Sequence, residues 1–158
     1  MNWNNELIVW NKTFKSGIKA IDEQHKGLFE LVNNMFSHVT GNEKEERKYF
    51  DIVIKKTVNH IKIHFAAEEK IMSFTKFNGY DKHKKLHDDF VTAITKNIHE
   101  FKSREHFCLF SFTKLLRDWL YSHITVMDKE YFEHFKKTTS QKPDGKLAIP
   151  HKDLRKIA

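Results

Sequence analysis

Four stretches of this chain repeat apolar residues at the spacing of one helix face, and each stretch carries histidine or carboxylate on that same face. The first reads Ile18, Ile21, His25, Leu28, Phe29, Val32, Phe36, Val39. The second reads Phe50, Val53, Ile54, Thr57, Ile61, His64, Glu68, Ile71, Met72. The third reads His83, His87, Phe90, Val91, Ile94, Ile98, Phe101. The fourth reads Leu109, Phe112, Leu116, Trp119, Leu120, His123, Met127, Asp128, Tyr131, Phe135. Only five Gly and two Pro occur in 158 residues, and Pro143 and Pro150 both lie near the C-terminus. With so few breakers, long helices are the natural reading.

Short connections make consecutive helices antiparallel neighbours. The expected fold is all-α, an up-down-up-down four-helix bundle. Asp22 or Ser16 is expected to cap the first helix. Gly41 should end it, and Asn42 with Glu45 should open the second in the manner of a capping box. Asn78-Gly79 should stop the second helix, the third should begin near Asp81, and Ser103 should mark a break and a cap. Residues 1–17, with Trp3, Leu7, Trp10 and Phe14, form an apolar arm expected to lie against the bundle. The expected division is a bundle domain over residues 1–137 and a basic tail over residues 138–158.

Charge is uneven along the chain. Of the formal net charge of +7, residues 136–158 contribute +5, with seven Lys/Arg against Asp144 and Asp153. Such a tail suits an anionic partner or a solvated terminus, so a protein partner through the tail stays open. No nucleic-acid-binding motif accompanies it. Cys108 is the single cysteine, which excludes an intramolecular disulfide. Residues 1–14 lack the basic patch and apolar run of a signal peptide, and no stretch approaches the roughly 20 apolar residues of a membrane span. A cytoplasmic monomer with no membrane association is expected.

The polar residues on the apolar stripes carry the functional argument. Burying polar or ionisable groups without partners costs several kcal/mol each, and a shared metal removes that cost. Residues four apart on a helix point the same way, so His64 with Glu68, and His83 with His87, can each reach one point. His25 is early in helix one, His64 and Glu68 late in helix two, His83 and His87 early in helix three, and His123 and Asp128 late in helix four. In an antiparallel bundle these are one level. A single inward histidine is more often a satisfied core residue than a ligand, but agreement of four segments in face and level is not expected by chance. His123 and Asp128, five apart, fall about 140° apart on an ideal helix and should straddle the stripe. Glu69 lies about 100° off the ligand face and is expected at the surface. His60, one turn before His64, is either an outer partner of a ligand or a polar residue beside the site. His38, His99, His106, His134 and His151 have no partner at ligand spacing and read as surface or packing residues.

Imidazoles mixed with carboxylates suit two borderline or hard ions. No H-E-x-x-H occurs, which disfavours a zinc protease, and the paired Glu-x-x-His of carboxylate-rich di-iron bundles is missing. The segments Gly17 to Phe29, His64-Phe-Ala-Ala-Glu68-Glu-Lys-Ile-Met72, His83-Lys-Lys-Leu-His87 and Trp119-Leu-Tyr-Ser-His123-Ile-Thr-Val-Met-Asp128 resemble the hemerythrin family, its bacterial members in particular, over roughly residues 3–135. The resemblance implies two non-haem Fe ions that bind O2 reversibly, for oxygen storage, delivery or sensing, and no enzyme. It implies His83, His87 and His123 on one iron, His25 and His64 on the other, and Glu68 and Asp128 bridging them with a solvent-derived oxo or hydroxo. Leu28, Trp119, Leu120 and Ile124 would wall the O2 pocket. The tail exceeds the usual family core. Five neutral imidazoles with two carboxylates leave such a centre poor in negative charge, which favours reversible binding over O–O cleavage. The alternative is a di-iron enzyme, a ferroxidase or a nitric-oxide or peroxide reductase.

Overall fold

The computed structural model describes residues 6–103, 105 and 107–140. A short 3-10 turn, Lys12–Phe14, precedes α1 (Lys19–Ser37), α2 (Glu43–Phe74), α3 (Tyr80–Ser103) and α4 (Leu109–Ser122). A π-helical segment, His123–Met127, follows α4 directly, and α5 (Lys129–Ser140) continues from it. Asp128, between the last two, keeps right-handed helical angles, so α4, the π-segment and α5 form one rod. The result is a four-helix bundle in which α1 packs on α2 and α4, and α2 on α3. Among the described residues no helix is long and apolar enough to cross a membrane.

Asn42 and Ser103 mark helix ends as the spacing suggests, and the other ends use different residues. Ile18 occupies the cap of α1 and supplies no side-chain bond. Asp22 instead reaches back one turn: its Oδ1 accepts from both the backbone N–H and the hydroxyl of Ser16, at 2.7 Å each. Ser16 Oγ in turn accepts the Ile18 N–H. Helix α1 stops at Ser37, and Gly41 serves the loop that follows, where φ of 81° requires the left-handed region. Asn42 does cap α2, accepting the Glu45 N–H, but the reciprocal arm comes from Glu46 and not Glu45. The buried Glu46 carboxylate accepts the N–H groups of Thr40 and Gly41. Helix α2 ends at Phe74, before Asn78-Gly79, through Lys76 at φ 53°. Ser103 ends α3, while Cys108 takes the cap of α4.

Two apolar clusters fill the bundle. The larger runs from Leu28 to Phe36 on α1, Phe50 to Phe65 on α2, Phe90 to Phe101 on α3, and Leu109 to Leu120 on α4, with Phe107 joining it from the loop before α4. The smaller gathers Ile18, Ile21, Ala67, Ile71, Met72, Tyr131 and Phe132 at the other end. On α1, α3 and the fourth rod the donors lie in the sequence between the two clusters; on α2 the clusters meet at Phe65 and Ala67, with His64 and Glu68 just to either side.

The N-terminal arm covers α1 and the α4 rod. Phe14 is buried against Phe29 and Tyr121, and Ile8 exchanges both backbone hydrogen bonds with the Asn33 side chain at 2.9 Å. Glu6 pairs with Arg117 of α4. Leu7, expected as an anchor, is exposed, and Ile8 takes that role. Trp3 lies outside the described residues, as does the tail from residue 141; α5 carries helix through Ser140, past the expected boundary at 137.

Candidate metal centre

The bundle places His25, His64, Glu68, His83, His87, His123 and Asp128 in one buried layer, each no more than 4% exposed. Helix α1 contributes His25. The four-residue spacings of α2 and α3 set His64 above Glu68, and His83 above His87. The fourth rod departs from expectation. The Asp128 N–H bonds the His123 carbonyl, five residues back, at 3.0 Å. One wide π-turn therefore brings both side chains to the same face, where an α-helix would splay them about 140° apart. His123 Nε2 and Asp128 Oδ1 lie 3.0 Å apart.

The donors fall into two groups whose atoms lie within 4.8 Å of one another. Glu68, His83, His87, His123 and Asp128 form one; His25, His64, Glu68 and Asp128 form the other. Each carboxylate divides its oxygens between them. Glu68 Oε1 is 3.4 Å from His64 Nε2, and Oε2 is 3.1 Å from His87 Nε2. Asp128 Oδ2 is 3.6 Å from His25 Nε2, and Oδ1 is 3.2 Å from His83 Nε2.

This packing is unfavourable for protein atoms alone. His25 faces His64, and His87 faces His123, through Nε2 atoms 3.2 Å apart. Glu68 Oε2, His83 Nε2 and both Asp128 oxygens are buried without a hydrogen-bond partner. Orphaned donors at this density are rare in protein interiors. Two cations, each with imidazole nitrogens around it and carboxylates shared between, would satisfy all of them, so the residues present fit a di-metal group.

Burial and mutual charge set the ionisation of the protein groups, and they act in opposite directions on different donors. Burial drives His64 down to about 3, with the Glu68 carboxylate opposing, so it is neutral and ready to donate a lone pair. Burial also pushes His123 down, but the Asp128 and Glu68 carboxylates outweigh it and lift the group to about 10. Glu68 is held well below the usual carboxylate range: burial opposes this, and the surrounding imidazoles of His64, His123, His25 and His87 overcome it. Burial, reinforced by Glu68, keeps Tyr131 a phenol, and its hydroxyl donates to Glu68 Oε1 at 2.6 Å.

Outer contacts orient the rings. Gln24 Oε1 accepts the Nδ1–H of His64 at 3.1 Å, and Glu69 Oε1 accepts the Nδ1–H of His87 at 3.1 Å. Glu69 is thus partly buried and tied to the layer, not simply at the surface. The helix angle carries it off the donor stripe and into the α2–α3 seam, where His87 presents its far edge. Gln24 follows the same logic in the α1–α2 seam, and its position next to His25 is the only sequence signal it leaves. Phe65 stacks flat on His87 at 3.8 Å, and Trp119 on His123 at 4.5 Å. His60 is exposed, near Gly27, and takes no part in the layer. His38 and His99 are also exposed, and His134 is partly buried with a bond to the Thr75 carbonyl. His106 and His151 lie outside the described residues.

The four residues expected to wall an O2 pocket are divided. Leu28 and Leu120 belong to the larger apolar cluster, with Trp119 packed against it beside the three-imidazole group. Ile124 sits in a separate cluster with Ile8, Phe14 and Phe29 under the arm.

Comparison with known proteins agrees with this geometry. A family model described as the hemerythrin HHE cation-binding domain matches residues 16–135. The myohemerythrin of Theromyzon tessulatum is 30% identical over 126 residues, covering 80% of this chain and 92% of its own. The bacteriohemerythrin of Methylococcus capsulatus is 31% identical over 127 residues, covering 79% and 94%. A crystal structure of wild-type hemerythrin superposes with a TM-score of 0.65 at 28% identity, covering 82% of this chain and 98% of that one. A bundle with seven buried nitrogen and oxygen donors, matched along its length in sequence and in structure, belongs to the hemerythrin family.

Proposed function

We propose that this protein binds O2 reversibly at a non-haem di-iron centre. The observation that carries the reading is the shared layer of seven buried donors, split into a five-donor and a four-donor group with both carboxylates common to each. His83, His87 and His123 would hold one iron, His25 and His64 the other, with Glu68 and Asp128 between them. Iron, when bound, supplies the electrons and the coordination that a gas ligand needs. The four-donor group offers fewer protein atoms, so an iron held there would be the one left with a coordination position for that ligand.

The chain's own residues do the rest. Gln24 and Glu69 fix His64 and His87 with Nδ1 protonated, so that each Nε2 lone pair faces inward. The Tyr131 hydroxyl holds one oxygen of Glu68 in place. Leu28, Leu120 and Ile124, all essentially buried, exclude water from the layer. The family and its named members point to ligand binding, and we read the protein as a carrier, store or sensor without turnover.

The domain is taken as residues 1–137, with 138–158 a basic tail open to an anionic partner. A cytoplasmic monomer suits a chain whose single cysteine, Cys108, is free and exposed.

The test is to load the protein with ferrous iron, expose it to air, and record metal content with the optical spectrum. Two irons per chain and an oxy band that disappears on deoxygenation are expected. A protein that folds but takes up no iron overturns the reading. Steady O2 consumption with added reductant would favour the di-iron enzyme.

A further inference from the structure

The two halves of the centre are backed by partners of equal geometry and unequal charge. Gln24 and Glu69 each adjoin a donor in the chain, and each accepts an Nδ1–H from an imidazole on the neighbouring helix at 3.1 Å. As ring holders they are equivalent. They differ in that Gln24 offers a neutral carboxamide and Glu69 a carboxylate. Glu69 is partly buried, and its second oxygen lies 3.4 Å from Lys84 Nζ, which also pairs with Asp88 at 3.1 Å. Lys84 pins the carboxylate against the seam between α2 and α3, and His87 takes the other oxygen.

A carboxylate on the outer nitrogen of a metal-bound imidazole raises the basicity of the inner nitrogen. A carboxamide does so far less, because it adds no charge. Resting on the di-iron reading, we infer that Glu69 is a positioning residue that acts through His87 to make the three-imidazole half the stronger electron donor, while Gln24 leaves the two-imidazole half the more Lewis-acidic. The centre is then polarised by its surroundings: the five-donor half is tuned to give up an electron, and the four-donor half to accept a ligand.

The experiment compares the full-length protein with Glu69→Gln, Glu69→Ala and Gln24→Glu. Metal-free samples are titrated with Co2+, followed by visible absorption, and the reduction potential of the iron-loaded forms is measured. Wild type is expected to take two Co2+ per chain. Glu69→Gln, which keeps an acceptor and removes the charge, is expected to weaken one of the two by about tenfold or more and to raise the potential. Gln24→Glu is expected to tighten the other and lower the potential. If Glu69→Gln matches wild type in both readouts and only Glu69→Ala shifts, Glu69 merely holds the ring and the inference is overturned. If circular dichroism shows that Glu69→Gln does not fold, Gln24→Glu decides alone, and a potential unchanged or raised overturns the inference. Wild type binding fewer than two Co2+ would instead undo the di-metal reading beneath it.

Discussion

The donors convert burial from a cost into a constraint. In the metal-free protein His64 remains neutral to about pH 3, whereas the unfolded chain protonates that histidine near 6.5. Its contribution to stability is present above 6.5 and is lost as pH falls from there toward 3. His123, lifted to about 10, works in the opposite sense: its contribution is full below 6.5 and is lost as pH rises toward 10. Metal-free protein is therefore expected to be most stable near pH 6.5, declining on both sides, as chemical denaturation across pH would show. Replacing His123 with Ala removes a donor from the five-donor group; fewer than two metals per chain and no oxy spectrum are expected. Leu120, fully buried one turn before His123, ends the larger apolar cluster along the fourth rod. Leu120→Ala should cost about 2–5 kcal/mol of stability and speed autoxidation of the iron-loaded protein; an unchanged autoxidation rate would remove Leu120 from the water-excluding wall.

Helices were legible wherever one period ran unbroken. The stripes of α1, α2 and α3 place His25, His64, Glu68, His83 and His87 with their apolar neighbours because an α-helix repeats at 3.6 residues. The fourth rod was not legible in the same way. Its period changes over His123–Met127, and nothing in the composition of His-Ile-Thr-Val-Met announces a π-turn. The turn is stabilised by what it accomplishes, the alignment of two donors five apart, and that benefit is tertiary. Deleting Thr125 should replace the π-turn with an α-turn, leave His123 and Asp128 four apart on one face, and keep α5 and Tyr131 in phase with the rod. Two bound metals per chain are expected from elemental analysis, with helix content retained; loss of a metal would show that the wide turn itself is required. The ring-holding roles of Glu69 and Gln24 are not legible in the stripes for a related reason. A helical wheel reports distance from one helix's own stripe, whereas a partner in a seam is defined by the next helix.

At the scale of the whole molecule, the donor layer separates two apolar clusters that share no core residues. Metal bound to all four rods ties these clusters together, so stripping it should do more than empty a site. A ligand held at 100 times its dissociation constant stabilises the native state by about 2.7 kcal/mol. Chelator treatment should lower the thermal midpoint by a corresponding amount, and adding the metal back should restore it. The layer also has a temporal aspect. Its first donor is residue 25 and its last is residue 128, so the site does not exist on a nascent chain until the final rod has emerged and docked. A chain halted before the fourth rod lacks His123 and Asp128 and so the full donor set, which makes full occupancy a report that synthesis and assembly are complete.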